Sequence, residues 1–133
     1  MGKNCTEQSL ISMILRISMV CLFAVAAASK FTNGIETSAT FIVTSFKDTF
    51  LPAFLVNLYA HVLPFAEALI AIWLLIGFKL RAAWVFTALV LVSLAFGLVV
   101  AKQSAADNYM YVLFACAGLY FSAFDCCVLG SKK

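Results

Sequence analysis

Polar and apolar positions divide this chain into long blocks. Leu10 to Ser29 is apolar and broken by one charge, Arg16. Ala82 to Ala101 carries no charge, and Tyr109 to Gly130 carries only Asp125. A helix needs about 20 apolar residues at 1.5 Å each to cross the hydrocarbon of a bilayer, and all three blocks meet that. A further block, Leu51 to Phe78, is long enough to span with some tilt, although it contains His61, Pro64 and Glu67. Pro64 would kink that helix or mark the turn where it enters the membrane. The pattern predicts spans over residues 10–29, 57–78, 82–101 and 109–130.

Between the first two spans the period changes. Thr32, Asn33 and Gly34 break the first helix. Ile35, Ala39, Ile42, Phe46 and Phe50 then recur at steps of three or four, which puts them on one helical face. Residues 35–50 therefore read as an amphipathic helix lying at the membrane surface, against the alternative of an irregular loop packed on the bundle. The later connections, Gly77 to Arg81 and Lys102 to Asn108, are short, so sequential neighbours run antiparallel. The expected architecture is all-α: one membrane domain, a four-helix transmembrane bundle with an interfacial helix between spans one and two.

Composition agrees with the pattern. Of the 133 residues, 65% are hydrophobic and 11% charged. Soluble domains average roughly 45–50% and about 25%, so too few charges exist here to cover a water-facing surface. The net charge of +3 is spread between the apolar blocks and makes no basic run of the kind nucleic-acid binding needs. Lys3, Lys79, Arg81, Lys132 and Lys133 fall on one side of the predicted spans. Lys30, Lys47 and Lys102 fall on the other, offset by Glu36, Asp48 and Asp107. The excess predicts both termini in the cytoplasm, in a bacterial inner membrane. Lys3, the first apolar run and Ala26-Ala27-Ala28 have the outline of a signal peptide, but Arg16 inside the run favours a retained span.

Ionisable groups inside a span are costly, so each is a candidate for function. Arg16 and Asp125 lie at matching depths, about 8–9 Å from the inner end of spans one and four. They would pair across the bundle, unless Arg16 snorkels to the headgroups and Asp125 is wetted. Glu67 falls near mid-membrane. It requires a proton, a cationic partner such as Lys30 or Arg16, or a wet cavity, and any of these would suit proton transfer, a polar headgroup or a helix-locking bond. His61 forms an i, i+4 pair with Asn57 but stands about 240° around the helix from Glu67, so a quinone or ligand contact competes with a solvated interfacial histidine. Cys5, Cys21, Cys116, Cys126 and Cys127 contain no C-x-x-C, and inert thiols are expected, with Cys21 and Cys116 in the core. One histidine and scattered carboxylates make no metal site. Small residues at four-residue spacing (Ala24 and Ala28; Ser93, Gly97 and Ala101; Gly118 and Ser122) suit close packing within the bundle, against a second copy or against a partner's helix. Trp73 and Trp84 flank the inner link, as belt aromatics do.

The order of these features resembles the DoxX-like family, including its MauE-type membrane proteins. The likeness is carried by Arg16 early in span one, Lys30-Phe31 at its end, Leu63-Pro64-Phe65-Ala66-Glu67, Leu74-Leu75-Ile76-Gly77, and a third span after Lys79 and Arg81. It implies a four-helix membrane bundle with both termini inside, association with redox systems, and Arg16, Lys30 and Glu67 as the polar positions. Relatives include the membrane subunit of a thiosulfate:quinone oxidoreductase and a protein needed for maturing methylamine dehydrogenase. Val20 and alanines replace the glycines common in the first span of relatives, and no appended thiol domain is expected. The expectation is a non-catalytic accessory subunit that packs on a larger membrane complex, surrounded by lipid, and shapes a lipid or quinone site near Glu67 and His61. The alternatives are a subunit that itself passes electrons to quinone, and a small transporter or assembly factor.

Overall fold

The computed structural model describes residues 2–104 and 106–122. Helix α1 covers Gly2–Thr32, α2 Ile35–Ser45, α3 Ala53–Ile76, α4 Leu80–Val100 and α5 Ala106–Phe121. No strand occurs among the described residues. In hydrocarbon no water is available to backbone groups, and a helix satisfies them within its own segment. Three of these helices are long and apolar enough to cross a membrane: Glu7–Thr32, Ala53–Ile76 and Leu80–Val100. The predicted last span falls on α5, whose predicted end at residue 130 lies outside the described residues.

Four helices close a ring. α1 packs most extensively on α3 and also touches α5, while α4 packs on α5 and α3; α2 lies against α3 and touches α1. The facing stripes follow the helical period. On α1 the inward residues are Ser9, Ser12, Met19, Phe23 and Ala27; on α3 they are Val56, Ala60, Leu63, Glu67, Ile70 and Leu74. Both sets step by threes and fours or by sevens, the spacing of one helical face. Met19, Phe23, Ile70, Leu74, Trp84, Leu91 and Ala115 meet in the core. Lipid tails are as apolar as these side chains, so close packing and polar contacts, rather than escape from water, hold the ring together.

Several sequence expectations are corrected. The interfacial helix stops at Ser45, not residue 50. Thr44 and Ser45 turn their hydroxyls back onto the carbonyls of Thr40 and Phe41, and Thr49 does the same to Phe46 in the turn that follows. The end itself is marked at Phe46, whose N–H is shared between Ile42 O and Val43 O, the three-centre bond common at helix termini. Pro64 does not mark an entry turn: α3 begins at Ala53, after Pro52, and runs through Pro64. Trp84 is no belt residue. It is fully buried and packs so closely on α5 that a Cβ at Gly118 would fall 2.4 Å from its ring. Cys21 and Cys116 are exposed, not in the core, because each stands off the stripe its helix turns inward.

Two links reverse the chain sharply. Gly77 (φ 79°) and Lys79 (φ 47°) are both left-handed, and between them they turn α3 into α4. At the other end of α4, Lys102 (φ 55°) occupies the position after the helix cap. Its N–H reaches Val99 O, and Gln103 N–H reaches Leu98 O at 2.9 Å. That is the bond pair of a Schellman ending, which ordinarily carries glycine.

Candidate functional site

The strongest polar feature joins α1 to α3. Lys30 Nζ lies 2.5 Å from Glu67 Oε1 and 2.6 Å from Oε2, so the ammonium donates to both carboxylate oxygens. Antiparallel geometry brings them together. Side chains on a helix lean toward its N-terminus, so Lys30 leans back along α1 while Glu67 leans the opposite way along α3. Lys30 stands about 21 Å along α1 from Arg16, and Glu67 about 11 Å along α3 from Leu74. The difference is bridged by the two side chains. The Glu67 side chain is 4% exposed and that of Lys30 is 21%. The carboxylate is therefore enclosed, while Lys30, in the last turn of α1, is the more open partner.

Arg16 serves a second junction at the opposite end of α3. Its Nη2 donates to Leu74 O at 2.9 Å and to Leu75 O at 3.4 Å, and its Nε to Leu74 O at 3.3 Å. These carbonyls belong to the last turn of α3, which has no further helical N–H to satisfy them. The negative end of the helix dipole also favours a cation there. Gly77 makes room: a Cβ at that position would lie 2.6 Å from Arg16 Nη2. Asp125, the partner weighed for Arg16 from the sequence, lies outside the described residues.

His61 and Glu67 are not brought together. Glu67 is buried against α1, whereas His61 is exposed and its Nδ1 lies 2.8 Å from the backbone oxygen of Asn57 on its own helix. The Asn57 partnership thus runs through the main chain. Nearer the outer-facing end predicted for α3, a polar contact that spacing could not reveal appears between Tyr59 and Ser93, whose hydroxyls are 2.9 Å apart. It bridges α3 and α4 beside an apolar cleft of about 470 Å³ lined by Phe46, Leu55, Tyr59, Ser93, Phe96 and Gly97, among others. Gly97 has no side chain, and the Phe46 ring fills the space: a Cβ there would meet Phe46 Cζ at 3.3 Å. Among the described residues, no group of three or more His, Cys, Asp or Glu side chains could hold a metal ion.

A family model described as Methylamine utilisation protein MauE matches residues 8–109. The match takes in Arg16, Lys30 and Glu67 and most of α1 to α4; no curated protein and no solved structure matches the chain. The chain belongs to the MauE family.

Proposed function

We propose that this MauE-family chain is a small accessory subunit of a larger redox-linked membrane assembly, the family description tying it to methylamine utilisation. In this reading it spans a bacterial inner membrane four times, with both termini in the cytoplasm and α2 on the opposite surface. The observation that carries the accessory role is the Lys30–Glu67 pair. The two charged groups occupy each other fully, as in a device that fixes helices rather than one that turns over a substrate. Arg16 on the end of α3 acts in the same sense. Kinship with the wider DoxX-like proteins belongs to the same proposal and rests on Arg16, Lys30, Glu67 and the Leu63-Pro64-Phe65-Ala66-Glu67 segment.

A second reading, contact with a quinone or a lipid chain, is favoured by the cleft at Tyr59 and Ser93. Ser93 donates to Val90 O, so the Tyr59 hydroxyl is the donor between the two, and turning it from Ser93 to a quinone carbonyl would place that donor at the margin of an apolar slot of suitable volume. Glu67 would then set the field behind the slot, and His61 would contribute from the exposed face of α3.

Gentle purification from native membranes, followed by mass spectrometry of what accompanies the chain, tests the first reading. Stable recovery with a membrane redox protein supports it, and recovery of the chain alone overturns it. A quinone-dependent activity lost on Tyr59→Phe, with the partner still bound, would favour the second.

A further inference from the structure

We propose that the lipid-facing groove along α4 is a binding site for one anionic glycerophospholipid, with its phosphate on Arg81 and an acyl chain laid between Trp73 and Leu119. The groove measures about 490 Å³, and Arg81, Val85, Phe86, Leu89, Trp73 and Leu119 line it. Arg81, Val85 and Leu89 step by fours along one face of α4, so the apolar floor runs about 12 Å inward from the charged end. Charge at one end and hydrocarbon along the rest is the pattern of an amphiphile, with its head at the membrane surface and its tail toward the middle.

The walls are already fixed. Trp73 Nε1 donates to Phe78 O at 2.6 Å, which sets the plane of the indole, and the Phe86 ring lies 6.1 Å from it at 41°. Arg81 is exposed, and no described carboxylate pairs with it. Arg16 is held on the carbonyls of Leu74 and Leu75 and Lys79 Nζ sits 5.5 Å over the Phe78 ring, so Arg81 is the cation of this turn that faces the groove. Arg81 selects an anionic headgroup over a zwitterionic one, whose ammonium it repels. Basic pockets between transmembrane helices are where anionic headgroups bind. A free phosphate would be drawn by Arg81 but would gain nothing from the apolar floor.

Brominated lipids test the site, because bromine on an acyl chain quenches an indole it touches. Trp84 is fully buried, so Trp73 reports the groove, and Trp73→Phe supplies the blank. The full chain is placed in vesicles of phosphatidylcholine with increasing phosphatidylglycerol, with one or the other lipid brominated. Brominated phosphatidylglycerol is expected to be preferred about fivefold at equal mole fraction, the value of roughly one basic side chain at the surface. Arg81→Gln should reduce the preference to about one, and Arg81→Lys, which keeps the charge, should retain it; far-UV circular dichroism confirms that both are helical. Equal quenching by the two lipids in the parent chain would overturn the proposal, as would an undiminished preference in Arg81→Gln. Displacement of the brominated lipid by millimolar inorganic phosphate would overturn it too, since it would make Arg81 a site for the free anion.

Discussion

Breaking the Lys30–Glu67 pair from its two ends should give unequal results. Lys30→Met leaves the Glu67 carboxylate with no cation, and at 4% exposure its side chain has no route to water. Removing one partner from a buried pair costs about 3–5 kcal/mol, and this variant should fall in that range. Glu67→Gln leaves the lysine instead. At 21% exposure, near the end of α1, its ammonium can swing outward along its stem and also keeps an amide oxygen to donate to, so about 1–3 kcal/mol is expected. Replacing both with methionine removes the charges and keeps the volume, and should come within about 1 kcal/mol of the parent, because the pair's mutual attraction is largely offset by the desolvation of both ions. Each variant, with the Glu67→Met single added to close the double-mutant cycle, is unfolded from mild detergent by titration with sodium dodecyl sulfate, followed by far-UV circular dichroism, and the cycle gives the coupling. Two results would refute the reasoning: a double variant that loses the sum of the two single losses, or a Glu67→Gln chain less stable than Lys30→Met. The first would deny that the two groups interact, and the second would deny that the carboxylate is the enclosed partner.

Two further outcomes follow from backbone geometry. Gly118→Ala would put a Cβ within 2.4 Å of the buried Trp84 ring, which has no solvent to retreat into; a loss of about 1–3 kcal/mol in the same assay is expected. Lys102→Gly should stabilise the chain by about 1 kcal/mol, since the left-handed backbone there strains a side-chain-bearing residue and suits glycine; a lower denaturant midpoint would count against it.

Much of the fold was legible because solvent imposes a simple rule on sequence. Blocks without charge must be helices where no water can satisfy the backbone, and their lengths are set by bilayer thickness. Hence α1, α3 and α4 stand close to where the pattern put them, and the membrane class followed from 65% hydrophobic and 11% charged residues. The sequence also marked Arg16, His61, Glu67 and Asp125 as groups that demand partners, since an ion in hydrocarbon is costly wherever the helix points, and offered Lys30 as one partner for Glu67.

Which partner each takes was decided by tertiary structure. Glu67 had Lys30 and Arg16 both within reach on paper; the antiparallel lean of side chains on α1 and α3 gives it Lys30 and sends Arg16 to the carbonyls of Leu74 and Leu75. Lipid is as apolar as a protein core, so the apolar residues do not announce which side they face. That is why Trp84 read as a belt residue and Cys21 and Cys116 as core, each the reverse of its place. Composition fixed the solvent and the spans, while inside from outside, and the pairing of Tyr59 with Ser93 across 34 residues, required the helices to be assembled.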